Sequence, residues 1–285
     1  LHGSSPPRTT GGHRARKRFG QHFLADTGVV HAIVDAIAPR EGQVIVEIGP
    51  GLAALTDALL ERVDTIQAVE IDRDLAARLR HRHSEGRLVL HEADALDFDF
   101  RSALAAPARA AGGLLRIVGN LPYNISSPLL VRLLAFRDIV ADQHFMLQKE
   151  VVDRIVAAPG TTDCGRLTVL LQSFYDCVKL FDVPPEAFDP PPRVDSAVLR
   201  MNVRRDRLDD DPAPLQRLLA VAFGQRRKML RGTLLPWLAQ RGVTADDIDP
   251  TARAEEIGIE TWRSLAARLG PLHTKAFPGL TQGQP

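Results

Sequence analysis

Val44-Ile45-Val46-Glu47-Ile48-Gly49-Pro50-Gly51-Leu52-Ala53 decides the fold. An apolar run of strand length breaks into a glycine turn, and a helix-forming segment follows over residues 54–62. A strand buried on both faces reads as such an unbroken run. The glycines let the backbone approach a ligand closely, and the helix amino terminus favours polar or anionic groups beside it. A second apolar run, residues 66–71, ends in Val69-Glu70-Ile71-Asp72, which puts Glu70 19 residues beyond Gly51. An acid so placed can accept from both hydroxyls of a ribose. A helix over 74–83 and a third strand over 87–91 lead to Glu92-Ala93-Asp94. The fourth run (Leu114, Leu115, Ile117, Val118) ends in Gly119-Asn120-Leu121-Pro122-Tyr123-Asn124. Strands alternating with helices imply a parallel α/β sheet, whose ligands bind at the carboxyl ends of the strands. Four strands end there in Glu47/Gly49, Glu70, Asp94 and Asn120, which together describe a nucleoside-binding rim.

Asn-Leu-Pro-Tyr has the parts to hold an exocyclic amino group. The Asn120 side-chain carbonyl and a backbone carbonyl in the turn can accept its two hydrogens, and Tyr123 can stack on the attached base. Pro122 stiffens the turn and removes a donor. The plain alternative is a strand-end turn containing Asn and Pro. Gly49-x-Gly51-x-x-Ala54 also satisfies a nicotinamide-binding fingerprint, but that reading leaves Asp94 and Asn-Leu-Pro-Tyr unexplained. S-adenosylmethionine suits the acids after the second and third strands better.

Composition narrows the class. In 285 residues, 45% hydrophobic and 25% charged, there is room for one large domain and a small one. No apolar run reaches membrane-span length and the start lacks a signal-peptide core, so a cytoplasmic location is expected. Two cysteines, Cys164 and Cys177, supply neither a disulfide framework nor a metal cluster, and no metal is expected. The net charge of +1 hides two basic islands. One holds Arg8, Arg14, Arg16, Lys17 and Arg18; the other holds Arg226, Arg227, Lys228 and Arg231; neither contains an acid. They suggest a polyanion-binding face, the alternative being a solvated tail and a solvated helix edge.

Residues 1–14, rich in Gly, Ser, Pro and Thr, are expected to be disordered. Asp26 or Thr27 caps a helix carrying Val29, Val30, Ile33, Val34 and Ile37. Strands over 142–147, 174–181 and 196–203 complete the sheet, the last two as an antiparallel hairpin. Between them Phe188-Asp189-Pro190-Pro191-Pro192 either presents Phe188 beside the pocket or buries it as an anchor. Asp209-Asp210-Asp211-Pro212 marks a domain boundary, after which Leu215, Leu218, Leu219, Val221, Ala222 and Phe223 share a helical face. A further helix with a basic edge is expected from Gln225 to Arg231, with Trp237 and Trp262 in the core.

Five stretches together resemble the bacterial KsgA/RsmA family, which N6-dimethylates adenosines of small-subunit ribosomal RNA. They are Arg16-Lys17-Arg18-Phe19-Gly20-Gln21, Val46-Glu47-Ile48-Gly49-Pro50-Gly51, Gly119-Asn120-Leu121-Pro122-Tyr123-Asn124-Ile125-Ser126, Pro190-Pro191-Pro192-Arg193-Val194-Asp195-Ser196 and Phe223-Gly224-Gln225-Arg226-Arg227-Lys228. The resemblance spans roughly Gly12 to Leu269, and eukaryotic Dim-type and Erm enzymes share part of the pattern. It implies a Rossmann-like seven-stranded S-adenosylmethionine-dependent methyltransferase sheet over 15–207 and a small all-helical RNA-binding domain over 208–285 whose carboxyl end is disordered. It puts the cofactor on His22, Leu24, Gly49, Gly51, Glu70, Asp94 and Asn120, with Glu70 on the ribose and Asp94 on the adenine amino group. Asn120, Leu121, Tyr123 and Phe188 would serve catalysis, and Arg16, Lys17, Arg18, Arg226, Arg227, Lys228 and Arg231 the RNA. The implied substrate is two adjacent adenosines in a hairpin loop near the 3′ end of 16S rRNA, met by a monomer on an assembling small subunit. A non-catalytic assembly factor of the same fold is the rival, and the intact Asn-Leu-Pro-Tyr, Glu70 and Asp94 weigh against it. Three residues depart from the pattern: His22 stands where many members have Asn, Ala53 where a third Gly is usual, and Cys164 where Tyr is common.

Overall fold

The structure, a computed structural model, describes residues 22–84, 86–103 and 113–270. The expectations for residues 1–14, for Arg16, Lys17 and Arg18, and for the carboxyl end beyond residue 270 lie outside the described residues. The described residues open with β1 (Phe23–Leu24) and α1 (Thr27–Ile37), then β2 (Val44–Ile48), α2 (Ala54–Leu60), β3 (Ile66–Glu70), α3 (Arg73–Arg82), β4 (Leu88–Glu92) and β5 (Leu115–Asn120). Next come α4 (Ser126–Leu133), β6 (Val140–Gln148), α5 (Lys149–Ile155), α6 (Arg166–Gln172), β7 (Tyr175–Val183), β8 (Phe188–Asp189) and β9 (Ser196–Val203). Among the described residues after β9 the α-helices are α7 (Pro212–Phe223), α8 (Leu234–Ala239) and α9 (Ile259–Leu269).

Seven strands form one sheet in the order β4-β3-β2-β5-β6-β9-β7. The five from β4 to β6 pair in parallel, and β9 lies antiparallel between β6 and β7. The expected α/β, Rossmann-like seven-stranded sheet is therefore what the chain forms. Alternate residues of its central strands enter opposite cores: Ile45, Val118 and Met146 on the side of α1, Val46, Ile117 and Phe145 on the other. Burial on both faces is why these strands read as unbroken apolar runs. Strand order reverses between β2 and β5, and in open sheets that reversal opens the ligand crevice. There the backbones come close, for a Cβ added at Gly119 would lie 2.4 Å from the Ile48 carbonyl oxygen.

Asp26 caps α1, its carboxylate accepting from the Val29 amide at 3.0 Å. Asp211 caps α7 in the same way, through the Ala213 amide at 2.9 Å. The acidic stretch before α7 is pinned on both sides. Arg137 Nη2 donates to the Asp210 carbonyl at 2.8 Å, and Arg263 pairs with the Asp210 carboxylate. Leu215, Leu218, Leu219 and Trp262 continue the core that holds Phe145 and Leu199 of the sheet. Trp237, by contrast, is half-buried, with the Arg241 guanidinium 3.9 Å from its ring centre.

The helix expected from Gln225 to Arg231 does not form. After Phe223 the chain turns, and only a short 3-10 segment (Leu230–Gly232) precedes α8. The Leu230 and Arg231 amides donate to the Ala252 and Pro250 carbonyls, each at 2.9 Å, so they are not available to carbonyls four residues back. Tertiary partners outweigh a basic, helix-compatible sequence here.

The closeness of β2 and β5 has a direct test. Gly119→Ala is expected to destabilise the fold by about 1–3 kcal/mol, because a backbone carbonyl and not a flexible side chain would have to give way. The measurement is a lower urea midpoint with an unchanged slope.

Candidate active site

The turn after β2 is held by its neighbour strand. The Gly49 amide donates to the Val69 carbonyl at 2.9 Å, and the Gly51 amide to Glu70 Oε2 at 3.3 Å. The other Glu70 oxygen accepts from the Asp72 amide at 2.9 Å. Gly49 and Gly51 have φ of +66° and +58°, which suits residues without a Cβ. A Cβ at Gly51 would also press on the Phe23 ring at 3.1 Å. Ala53 has φ 74° as well, so the departure from Gly puts an ordinary residue in the left-handed region. Its side chain is fully buried.

A cavity of about 340 Å³ opens at this end of the sheet, and Gly49, Gly51, Glu70, Asp94 and Asn120 all line it. So do His22, Leu24, Leu121 and Tyr123, which come from β1 and the loop after β5. Burial pushes the Glu70 carboxyl up from its ordinary value, and the Asp72 and Gly51 amides pull it part of the way back. Asp94 is half-exposed and accepts from the Leu96 amide at 2.8 Å through one oxygen. Glu47 is almost wholly buried below the turn and accepts from the Thr56 hydroxyl at 2.6 Å. Desolvation raises its pKa to about 8, so it is mostly neutral at pH 7.

Asn120 is oriented by one contact. Its Nδ2 donates to the His22 backbone carbonyl at 3.0 Å. A carbonyl can only accept, so the amide NH₂ must face it and the Oδ1 acceptor is left for another partner. The Leu121 side chain is buried in the core and its amide donates to the Met146 carbonyl, while its own carbonyl accepts no backbone bond among the described residues. The Tyr123 hydroxyl lies 3.0 Å from Ser196 Oγ, and its ring stacks loosely on His22 with centroids 5.9 Å apart. Burial keeps the Tyr123 phenol above its ordinary pKa, with the Ser196 contact pulling the other way.

Other expected site residues stand apart. Phe188 is 4% exposed, pairs with Leu24 across β8 and β1, and is not part of the cavity wall. That is the anchor arrangement and not the presented ring. Arg226 is exposed but donates to the Thr162 and Cys164 carbonyls, so it joins the loop before α6 to the turn after α7. Arg227, Lys228 and Arg231 are exposed. Cys164 is buried beside that joint, away from the cavity. Two residues escaped the sequence reading. Ile71 lines the cavity with 49% of its surface exposed, and its one signal is an apolar residue directly after the strand-end acid. Ser196, fully buried, braces Tyr123 from 73 residues away, with no local signal.

Residues 12–270 match the family described as Ribosomal RNA adenine dimethylase. The chain belongs to that family. A Bordetella petrii protein named Ribosomal RNA small subunit methyltransferase A is 61% identical over 259 residues, covering 90% of this chain and 96% of its own. A Cupriavidus taiwanensis protein of the same name is 54% identical over 268 residues, covering 91% and 95%. A Plasmodium falciparum dimethyladenosine transferase has a similar fold, with TM-score 0.70 at 22% identity over 86% of this chain and 96% of that one. The 23S rRNA methyltransferase ErmE superposes with TM-score 0.63 at 24% identity over 87% and 100%.

The enzyme is thus an S-adenosylmethionine-dependent adenine dimethylase. Its cavity fits that cofactor: the positive-φ glycines leave room against the backbone, Glu70 and Asp94 offer acceptors, and Ile71 offers an apolar face. Among the described residues no group of His, Cys, Asp and Glu is arranged to hold a metal ion, and no helix is long and apolar enough to cross a membrane.

Glu47 makes stability depend on pH in a defined direction. Its folded pKa is raised, so its contribution is fullest below about pH 4.5 and is lost as pH rises toward about 8. Glu47→Gln keeps an acceptor for Thr56 without the titration. The variant is expected to gain on the wild type from about pH 5 upward and to level off above about 8, by several kcal/mol at most. Urea denaturation at a series of pH values measures it.

Proposed function

We propose that this dimethylase acts on two adjacent adenosines in the 3′-terminal hairpin loop of 16S rRNA, as a cytoplasmic monomer on the assembling small subunit. The names of the Bordetella and Cupriavidus relatives support the small-subunit target. In this reading residues 15–207 carry the chemistry and 208–285 help to hold the RNA. One observation carries it: the amide of Asn120 is turned so that its acceptor, and not its donor, is free at the cavity.

Adenine N6 is a poor nucleophile because its lone pair is delocalised into the ring. Asn120 Oδ1 and the Leu121 carbonyl accept its two hydrogens, which favours a more pyramidal nitrogen with its lone pair directed at the methyl donor. S-adenosylmethionine, when bound, supplies an activated methyl group whose transfer leaves the bonding pair on sulfur and releases one proton from N6. Positioning and fixed dipoles do the rest, and no strong base is required. Tyr123, fixed at its hydroxyl by Ser196, offers a ring on which the unstacked adenine can rest. Glu70, Asp94 and Ile71 hold the nucleoside end of the cofactor. Phe188 supports this wall from behind, through Leu24.

The deciding assay is methyl transfer to under-methylated small subunits, with the product nucleosides analysed. Wild type is expected to yield N6,N6-dimethyladenosine. Asn120→Ala should lose about a hundredfold or more in single-turnover rate at saturating cofactor. Glu70→Ala should weaken cofactor binding by about 1–3 kcal/mol while leaving RNA affinity unchanged. Near-normal turnover in Asn120→Ala would remove the mechanism.

The basic turn after α7 separates into two roles. Arg227 and Lys228 are assigned to phosphates, and replacing both with Gln should lower the salt slope of RNA binding by about 0.7–0.9 for each contact. Arg226→Gln, which breaks the joint to Thr162 and Cys164, is expected instead to lower thermal stability with a smaller change in slope. Equal slopes in the double variant and wild type would return the turn to a solvated surface.

A further inference from the structure

We propose that the end of the sheet opposite the cofactor cavity carries a second site, one that binds a phosphate group; this site is independent of the mechanism above. A cavity of about 710 Å³ opens at the amino ends of β2, β5 and β6, beside the carboxyl end of α1. Its floor is the α1 side of three adjacent strands. Arg116, Asp142 and Asn202 stand side by side on β5, β6 and β9, and His144 and Arg200 are neighbours on the next rung of β6 and β9. Arg40, in the loop after α1, belongs to another wall. Among the described residues that line the cavity there are thus three arginines and one acid.

The negative features of this cavity are already engaged by Arg116. Its Nε donates to both oxygens of Asp142, at 2.9 and 3.1 Å. Its two Nη atoms donate to Gln43 Oε1 at 2.9 Å and to the Ile37 carbonyl at 2.6 Å, the latter at the end of α1 where partial negative charge gathers. The positive features are left over. Arg200 is half-buried and Arg40 exposed, and among the described residues neither guanidinium has a hydrogen-bond or ion-pair partner. Arg200 Nε and His144 Nε2 are both buried without a partner, and His144 is only 3% exposed. Its other ring nitrogen lies 3.2 Å from Asp142 Oδ1. A guanidinium withdrawn from water without an acceptor is costly, and an anion in the cavity would remove that cost. Phosphate fits better than carboxylate. Arg40 and Arg200 stand on different walls, and a tetrahedral group presents oxygens in several directions where a carboxylate offers two in one plane. His144 Nε2 can meet a bare phosphate oxygen when the ring carries both hydrogens, and a phosphate hydroxyl when it does not.

The unpartnered arginines set the test. Arg200→Gln removes the charge and keeps a polar group, and Arg40→Gln does the same at an exposed position. His144 also borders the cofactor cavity, so it is left intact. Thermal denaturation of the full chain, saturated with S-adenosylmethionine, is followed in sodium phosphate and in sodium chloride of equal ionic strength. The general stabilising action of phosphate falls on wild type and variants alike, so the difference between them isolates the site. On going from chloride to phosphate, wild type is expected to gain about 2 °C or more in Tm beyond the gain of Arg200→Gln. Equal gains would overturn the proposal, whatever the stability of the variant in chloride. Should Arg200→Gln fail to unfold cooperatively, the same comparison with Arg40→Gln decides. Once the phosphate effect is located, the salt dependence of binding to small ribosomal subunits identifies the source. A slope lower by about 0.7–0.9 in Arg200→Gln assigns the phosphate to an RNA backbone. An unchanged slope assigns it to a free phosphate ester, such as a nucleotide.

Discussion

The Glu70 carboxylate, shared between the amides of Gly51 and Asp72, is the contact on which the cavity depends. It fastens the glycine turn after β2 to the end of β3, and the bond from Gly49 to Val69 fastens the same turn once more. Without these ties the two strand ends would carry loops free to sample many conformations, each costing entropy to order around a ligand. On the opposite flank of β2, Gly119 lets β5 approach until no side chain fits between it and Ile48. The crevice is thus framed by backbone on both sides, and its dimensions follow from main-chain contacts.

That framing explains which parts were legible in the sequence. Residues 44–48 and 66–70 are runs buried on both faces, ended by a glycine turn and an acid, and both the strands and their ends could be read directly. The acids Glu70 and Asp94 and the amide Asn120 were found because a strand end places the next polar residue at the rim. What was not legible depends on partners distant in the chain. The His22 ring meets Pro190 across 168 residues, and Leu24 meets Phe188 through a two-residue ladder too short to leave a pattern. Phe188 beside prolines reads equally as a presented ring or as an anchor until that ladder is known. Gln225 to Arg231 has helix-compatible composition, and only the Pro250 and Ala252 carbonyls show why it turns instead.

The basic islands illustrate the same division at the level of charge. A run of like charges in sequence carries no sign of which members are already engaged. Arg137 and Arg226 both spend guanidinium hydrogens on backbone carbonyls, joining the helical part of the chain to the sheet part. The Gly160 amide adds a third tie, to the Glu255 carbonyl at 2.7 Å. These bonds, and a core continuous from Phe145 to Trp262, hold the turn after α7 at a set distance from the cavity. Arg227 and Lys228 are therefore displayed from a fixed platform, where phosphate contacts can contribute to register as well as to affinity.

The arrangement of neutral and charged acceptors in the cavity has a physical logic of its own. During methyl transfer positive charge leaves the donor and grows on N6, so an acceptor helps the rate only where that charge arrives. In the proposed mechanism Asn120 and the Leu121 carbonyl serve as uncharged, directional acceptors that stabilise the growing charge without first drawing a proton from solvent. Glu47, deeply buried near the turn, is kept mostly neutral by desolvation and accepts a hydrogen bond from the Thr56 hydroxyl. In that state it adds little stabilisation to a cation in the ground state, which would otherwise raise the barrier. Glu70 and Asp94 each keep a hydrogen bond from a backbone amide, and in the proposed site they hold the nucleoside end of the cofactor. On that proposal carboxylates are kept to recognition and dipoles to chemistry.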